Sequence, residues 1–236
     1  LTAGDPSLDR TVEAAVELDQ AGADVLELGV PFSDPLADGP VIQRASERAL
    51  ARGVTLSAVL DSMRRIRARC DLPLLLFSYY NPLLQYGLPR LAREAKAAGV
   101  DGALVTDLPP EEAGEWITAA RAADIDTVFL ASPTSPQERL RRVAEASRGF
   151  VYAVSRTGVT GERQALSHDA RPLVERLRAL TDVPVVLGFG LSTPEQVREA
   201  AAVADGVVVG SALVRFLEEH PEGDLGARVT WLTSTT

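Results

Sequence analysis

The feature that most constrains the fold of this sequence is a regular alternation of short apolar runs with amphipathic helical patterns. Runs that read as β-strands lie at residues 1–4, 25–28, 74–77, 102–105, 127–130, 150–154, 185–187 and 206–209. Several are apolar throughout, as expected for parallel strands covered by helices on the outside. Eight strand–helix units with short connections predict an α/β chain that closes into a (β/α)8 barrel, a TIM barrel, with its first strand clipped at residue 1.

A doubly wound open sheet is the alternative, but that architecture usually has fewer strands. Three related segments, Ala-Gly-Ala-Asp24, Ala-Gly-Val-Asp101 and Val-Ala-Asp205, each close a helix and open a strand, which favours repeated units. The 236 residues suffice for one large α/β domain and contain no low-complexity linker. We therefore predict a single domain over residues 1–236.

Composition narrows the possible partners. The net charge of −9 argues against nucleic acid as a general partner, although backbone N–H groups can still bind a phosphate. No apolar run is long enough to predict a transmembrane helix, and no signal peptide is visible. The single cysteine, Cys70, cannot form an internal disulfide, which fits a reducing compartment. We expect a cytoplasmic protein that binds neither membranes nor nucleic acids.

Carboxylates cluster around the second predicted strand. Glu27 lies within its apolar run, and Asp34 and Asp38 lie in the Pro- and Gly-rich segment that follows. The carboxyl ends of barrel strands carry the catalytic groups, so these acids are candidates for acid–base chemistry. The alternatives are an exposed or ion-paired glutamate and aspartates that only cap turns. Asp107, just after the fourth strand, is either at the same edge or caps the helix predicted near residue 111.

Glycines follow the last three predicted strands. Gly158 and Gly161 lie after the sixth strand, Gly188-Phe189-Gly190 ends the seventh, and Gly210-Ser211 follows the eighth and opens a short helix. Barrels often bind phosphate with these loops and a helix N-terminus, because glycine lets the backbone N–H groups approach the anion. Plain turn glycines are the alternative for any one of these positions. Three such positions together favour a phosphate site.

Elimination narrows the chemistry further. The only lysine, Lys96, lies on a polar helix face, which argues against a Schiff-base lysine at a strand end. The two histidines, His168 and His220, share no metal-ligand spacing, so we expect no catalytic metal. No P-loop or dinucleotide-binding fingerprint occurs. Carboxylate acid–base chemistry on a phosphorylated substrate remains.

The segment LELGVPFSDPLADGP at residues 26–40 resembles the signature of the tryptophan synthase alpha subunit family. LTAGDP at 1–6, SRTGVTG at 155–161, GFG at 188–190 and GSA at 210–212 match the family in order and spacing. The resemblance implies retro-aldol cleavage of indole-3-glycerol phosphate to indole and glyceraldehyde 3-phosphate, a late step of tryptophan biosynthesis. It implies that Glu27 is the general acid–base and that Asp38 stabilises the charged indole nitrogen.

The resemblance also implies roles for other residues. Substrate contacts are expected from Tyr79, Tyr152, Phe189 and Thr160, and phosphate contacts from Gly161, Gly190, Gly210 and Ser211. Thr160 and Gly161 would belong to a mobile lid. Asp34, Pro35, Asn81 and Pro82, with Tyr79, are expected to face the family's beta subunit in an α2β2 heterotetramer. This chain would need no cofactor, whereas the beta partner would carry pyridoxal phosphate.

Three alternative functions remain open from the sequence. A stand-alone indole-3-glycerol-phosphate lyase would use the same residues without a beta partner. A different phosphate-binding barrel, such as an epimerase or aldolase, is disfavoured by the absence of metal-ligand and Schiff-base residues. A non-catalytic regulatory subunit is disfavoured because Glu27 and Asp38 are both present.

Overall fold

Parallel β-strands form the centre of the molecule. A computed structural model describes residues 1–154, 169–188 and 190–234. Two four-stranded sheets have the orders β1-β2-β3-β4 and β5-β6-β7-β8, and every pairing is parallel. The strands are β1 (Leu26–Gly29), β2 (Leu74–Ser78), β3 (Gly102–Val105), β4 (Asp126–Val128), β5 (Leu130–Ala131), β6 (Val151–Val154), β7 (Val185–Gly188) and β8 (Gly206–Val207). Phe129 alone separates β4 from β5, which together occupy the predicted fifth run.

The predicted first strand is represented by a short pairing at the start of the chain. Thr2 forms an isolated parallel bridge with Gly29. The Gly29 N–H donates to the Leu1 carbonyl at 2.7 Å, and the Ala3 N–H donates to the Gly29 carbonyl at 2.9 Å. Residues 1–3 therefore lie beside β1, which is where the clipped first strand was predicted.

Helices connect and cover the strands. They are α1 (Leu8–Gln20), α2 (Pro40–Ala51), α3 (Leu56–Arg67), α4 (Tyr80–Tyr86), α5 (Leu88–Ala97), α6 (Gly114–Ala122), α7 (Gln137–Ala146), α8 (Ala170–Arg178), α9 (Pro194–Ala201), α10 (Ser211–Glu219) and α11 (Leu225–Thr233). Local sequence explains several starts: Ser7 and Thr55 cap α1 and α3, and Thr193 forms a capping box with Gln196 at α9. Among the described residues, no helix is both long and apolar enough to cross a bilayer.

A short helix follows β2. α4 forms there, with Pro82 in its first turn, where a missing N–H has no intrahelical partner to lose. The carboxylate of Asp107 accepts a hydrogen bond from the Tyr80 N–H at 2.7 Å. Of the two alternatives for Asp107, the structure therefore supports the position at a strand end over the cap of the helix near residue 111. That helix, α6, begins only at Gly114, after turn hydrogen bonds to the carbonyls of Pro109 and Pro110.

Side chains on the strands alternate between two apolar layers. Leu26, Leu28, Leu74 and Leu76 belong to the large core between the sheets and the helices. Leu75, Leu104, Val128 and Tyr152 form a separate cluster on the opposite strand face, the interior of the barrel. Glu27 is in register with Leu75 and therefore faces the interior, because strand side chains alternate with a period of two.

The repeated Asp segments mark a structural repeat. The Asp101 carboxylate accepts from the Leu74 N–H at 2.8 Å and from Arg67 at 2.5 Å. Asp205 accepts from the Val185 N–H at 2.8 Å and from Arg178 at 2.6 Å. Each aspartate lies just before a strand, β3 or β8. Its carboxylate links the start of the neighbouring strand, β2 or β7, to the helix that leads into that neighbouring strand, α3 or α8. The assignment of residues 1–236 to a single domain stays a prediction.

Candidate active site

Glu27 is a carboxylate in an apolar interior. Its Oε1 is buried, and no described residue forms a hydrogen bond with that atom. Burial raises the pKa of Glu27 from 4.5 to about 7, because the charged form loses its hydration. A carboxyl group with a pKa near 7 can both donate and accept a proton at neutral pH.

Asp38 is held in place by Tyr79. The Asp38 residue is only 6% exposed, and the Tyr79 hydroxyl donates to its Oδ2 at 2.9 Å. The same hydroxyl accepts from the Ala37 N–H at 3.0 Å, and Gln43 donates to the Asp38 carbonyl at 2.9 Å. Burial raises the pKa of Asp38, and the Tyr79 hydrogen bond opposes that rise by stabilising the carboxylate.

Both carboxylates open onto one cavity. It encloses about 650 Å³, including its open mouth, a size suited to a small ligand. The cavity brings together predicted residues from β1, the loop after β1, β6 and the loops after β7 and β8: Glu27, Asp38, Tyr152, Gly190, Gly210 and Ser211. The two acids and the glycines therefore meet in one place, although they are up to 184 positions apart in the chain (Glu27 and Ser211).

Tyr152 lies deep in this site against a glycine. It is 5% exposed, and burial together with the charge of Glu27 raises the pKa of its hydroxyl. A Cβ atom built on Gly188 would lie only 2.2 Å from the Tyr152 hydroxyl oxygen. Glycine at position 188 thus leaves the space that the Tyr152 ring occupies.

The glycine end of the cavity can accept an anion. Ser211 is the first residue of α10, and no side chain of the described residues caps that helix at Gly210. The first-turn N–H groups of a helix attract negative charge, so this end suits a phosphate group. Gly190 has a φ of 84°, a conformation that favours glycine.

The residues predicted to face a partner lie outside the cavity. Asp34 and Asn81 are exposed, and Pro35 and Pro82 are partly exposed. Leu36 is 86% exposed and Leu84 48%, so this part of the surface also carries apolar side chains. Tyr79 itself is buried and directs its hydroxyl inward to Asp38.

Three predicted site residues, Thr160, Gly161 and Phe189, lie outside the described residues, as do Gly158 and His168. Within the described part, no group of three or more His, Cys, Asp or Glu side chains is arranged to hold a metal ion.

Sequence reasoning missed the apolar and backbone walls of the cavity. These are Leu1, Thr2, Gly29, Ile42, Phe77, Val208 and Val214. Phe77 could have been found, since it has the same strand parity as Leu75 and lies nearer the carboxyl end of β2. Ile42 and Val214 lie in the first turns of α2 and α10, and only the packing of these two helices identifies them.

Comparisons with known proteins identify the family. The family model described as tryptophan synthase alpha chain matches residues 1–231. The chain belongs to the tryptophan synthase alpha chain family. The alpha chain of Geobacter sulfurreducens is 53% identical over 234 residues, covering 99% of this chain and 89% of that protein. The alpha chain of Solibacter usitatus is 55% identical over 222 residues, covering 94% and 83%.

Solved structures of the family share the fold. Tryptophan synthase of Mycobacterium tuberculosis superposes with a TM-score of 0.92 at 42% identity, covering 98% of this chain and 88% of that chain. A chain of the α2β2 complex of Pyrococcus furiosus gives a TM-score of 0.90 at 40% identity, covering 98% and 95%. The family resemblance and the (β/α)8 barrel predicted from the sequence are both confirmed.

Proposed function

We propose that this tryptophan synthase alpha chain cleaves indole-3-glycerol phosphate to indole and glyceraldehyde 3-phosphate. The observation that carries the proposal is the single cavity onto which Glu27 and Asp38 open, with the N-terminus of α10 at Gly210 and Ser211 in its wall. Two acids can serve proton transfer and charge stabilisation, while the helix N-terminus binds the phosphate. The membership of the family agrees with this reaction.

Glu27 is proposed to move the protons. The reaction breaks the carbon–carbon bond between C3 of the indole ring and the glycerol chain. A proton must reach C3, and the hydroxyl proton of the glycerol carbon must leave as the aldehyde forms. A buried carboxyl group with a pKa of about 7 can supply the first proton and accept the second.

Asp38 is proposed to stabilise charge on the indole ring. Protonation at C3 places positive charge on the ring nitrogen before the bond breaks. A carboxylate fixed at that position lowers the energy of this species, since a preorganised charge in a buried site is only weakly screened. The Tyr79 hydrogen bond supports this role because it favours the ionised form of Asp38.

The remaining contacts follow the shape of the cavity. Phe77, Tyr152 and Val208 give it an apolar wall suited to the indole ring. Gly190, Gly210 and Ser211 are proposed to hold the phosphate, and a phosphate contact of Gly161 remains a prediction from the family resemblance. Substrate contacts of Thr160, Phe189 and Tyr79 remain predictions from the family resemblance.

We also propose a beta-subunit partner in an α2β2 assembly. The Pyrococcus furiosus relative is a chain of an α2β2 complex. The exposed Asp34, Leu36 and Asn81 with the partly exposed Pro35 and Pro82 give a mixed polar and apolar surface suited to a protein contact. In such an assembly the pyridoxal phosphate would belong to the beta subunit, and this chain would need no cofactor. A stand-alone lyase is the alternative. A cytoplasmic location stays a prediction.

The test is an indole-release assay. The purified chain is mixed with indole-3-glycerol phosphate, alone and with a tryptophan synthase beta subunit. We expect slow release by the chain alone and faster release with the beta subunit. Equal rates in the two mixtures would support the stand-alone lyase, whereas no release in either would reject the proposed activity.

A further inference from the structure

Arg48 on α2 joins two other segments of the chain through ion pairs. Its Nε and Nη2 donate to the two carboxylate oxygens of Asp5 at 2.8 and 2.6 Å. Its Nη1 donates to Oε1 of Glu218 in the last turn of α10 at 2.8 Å. Arg44, one turn earlier on α2, binds both oxygens of Glu218 at 2.9 and 2.8 Å.

Each joined segment also supplies a wall of the candidate active site. The first segment contains Thr2, α2 contains Ile42 and begins just after Asp38, and α10 begins with Ser211. The two helices also pack directly near the cavity, where Ile42 lies against an apolar cluster that contains Val214. The ion pairs therefore brace α2 and α10 at the end away from the cavity.

The ion-pair geometry suits a brace. The Asp5 side chain is only 3% exposed, and those of Arg48 and Glu218 are 31% and 24% exposed. The guanidinium group of arginine is a planar fork that can bind one carboxylate with two donors and another with the third nitrogen. Hydrogen bonds from Arg44 and Arg48 lower the pKa of Glu218 to about 2, so the network stays charged at neutral pH.

We propose that Arg48 is a positioning residue, which sets the distance between Asp38 and the phosphate-binding N-terminus of α10. Arg48 does not line the cavity, so it acts through α2, α10 and the segment of Asp5. This inference rests on the proposed function for the identity of the phosphorylated ligand. It adds a residue whose effect is on phosphate affinity rather than on proton transfer.

Arg48 could also affect phosphate binding through its charge alone, and this explanation makes a different prediction from the positioning of α10. If Arg48 only attracted the phosphate by its charge, removing the negative charge of Glu218 would strengthen phosphate binding. If the network positions α10, the same change weakens binding, because the helix loses its link to α2. Glu218→Gln therefore separates the two explanations by the direction of its effect.

The experiment measures the dissociation constant of glycerol 3-phosphate by calorimetry. It also measures kcat and KM for indole-3-glycerol phosphate and the midpoint temperature of thermal unfolding. The variants are Arg48→Met, Arg48→Lys and Glu218→Gln. The matched control is Arg65→Met, which removes the same charge from an exposed pair between Arg65 of α3 and Asp9 of α1, neither of which belongs to this network. We expect Arg48→Met to raise the dissociation constant and KM about 10-fold while kcat changes by less than about 3-fold.

Glu218→Gln should also weaken binding of glycerol 3-phosphate, by about 3-fold. The dissociation constant of Arg48→Lys should lie between those of the wild type and Arg48→Met, because an ammonium group cannot bind both carboxylates in the same geometry. Arg65→Met should have the same dissociation constant and KM as the wild type. Wild-type affinity in a folded Arg48→Met variant, or tighter binding by Glu218→Gln, would overturn the proposal. Should Arg48→Met not fold, Glu218→Gln decides alone, since it keeps the Arg48–Asp5 pair.

The two proposals fail in different ways. A wild-type chain that binds glycerol 3-phosphate but releases no indole would reject the proposed reaction, and the variant affinities would still decide the role of Arg48. A wild-type chain that releases indole with the same KM as Arg48→Met would reject the role of Arg48 alone. A wild-type chain that releases indole but does not bind glycerol 3-phosphate would overturn the phosphate site at α10 and with it the role of Arg48, and would leave the reaction standing.

Discussion

The hydroxyl group of Tyr79 donates a 2.9 Å hydrogen bond to the carboxylate of Asp38 and accepts one from the Ala37 N–H. One phenol thus fixes both a catalytic candidate and the backbone beside it. Phe32 packs against the Tyr79 ring, with the ring centroids 5.2 Å apart. The loop after β1 and the start of α4 are therefore joined at Asp38, between the cavity and the surface that carries Asp34 and Asn81.

This relationship predicts a pH-dependent defect in Tyr79→Phe. Loss of the donor removes the hydrogen bond that favours ionised Asp38, so the pKa of Asp38 should rise further above its ordinary value. The acid limb of kcat/KM for indole release should move to higher pH, with about a 10-fold loss at the acid side. Tyr86→Phe, which loses a hydroxyl contact with Glu94 instead, is the matched control. An unchanged pH profile in Tyr79→Phe would contradict the prediction.

Glu27→Gln should remove turnover and keep ligand binding. Glutamine retains the shape of the side chain but cannot transfer a proton, so indole release should fall by about 10²- to 10⁴-fold. The dissociation constant of glycerol 3-phosphate should stay within about 2-fold of wild type because the helix N-terminus at Ser211 is unchanged. Glu13→Gln on the exposed face of α1 is the control. Near-normal turnover in Glu27→Gln would remove Glu27 from the mechanism.

The raised pKa of Glu27 also predicts how stability depends on pH. Its pKa is about 7 in the folded protein against 4.5 ordinarily, so the folded state binds more protons between these values. As pH rises from about 4.5 to 7, the wild type should therefore lose up to roughly 3 kcal/mol more stability than Glu27→Gln, since other shifted groups such as Asp38 are common to both proteins. Urea unfolding at pH 4 and pH 8 measures this difference. We expect the inactive variant to be the more stable protein at pH 8, and equal pH dependence in both proteins would reject this.

Gly188→Ala should force Tyr152 out of its position. The added methyl group would lie 2.2 Å from the hydroxyl oxygen and 2.5 Å from the ring carbon that carries it. We expect a loss of about 2 kcal/mol of stability together with a loss of activity. Tyr152→Leu should relieve the clash, so the double variant should lose less stability than the sum of the two single variants.

A matched control for that cycle is Gly114→Ala. A Cβ at Gly114 would meet nothing within 4 Å, so this variant should keep or slightly gain stability. Additive losses for Gly188→Ala and Tyr152→Leu would show that the two residues do not compete for the same space.

The paired aspartates predict a stability effect away from the active site. Asp205→Ala removes the acceptor of the Val185 N–H and should cost about 1–2 kcal/mol in chemical unfolding, without changing indole release. Asp205→Asn keeps an oxygen for that N–H and should cost less. Asp101→Ala and Asp101→Asn should show the same order at Leu74. Equal losses for the alanine and asparagine variants would assign the effect to the arginine pairs instead.

Some residues carry a local signal in the sequence that predicts where they lie. Glu27 stands out because it interrupts an apolar strand, and strand alternation then sets the face on which it lies. Gly190, Gly210 and Ser211 follow strand ends, and these residues line the same cavity as Glu27. The sequence left two alternatives for Asp107, because a side chain next to two segments in space gives no sign in the sequence of which one it contacts. Its carboxylate accepts a hydrogen bond from the Tyr80 N–H at the start of α4.

Local order along the chain determined the parallel strands, the helices between them and the chemical types present at the strand ends. These features depend on hydrophobic periodicity, turn residues and caps, which act between near neighbours. Only the tertiary structure decided that Tyr79 holds Asp38, that Gly188 makes room for Tyr152, and that Arg48 links Asp5 to Glu218. Such contacts join side chains far apart in sequence, so their existence depends on how the strands and helices pack.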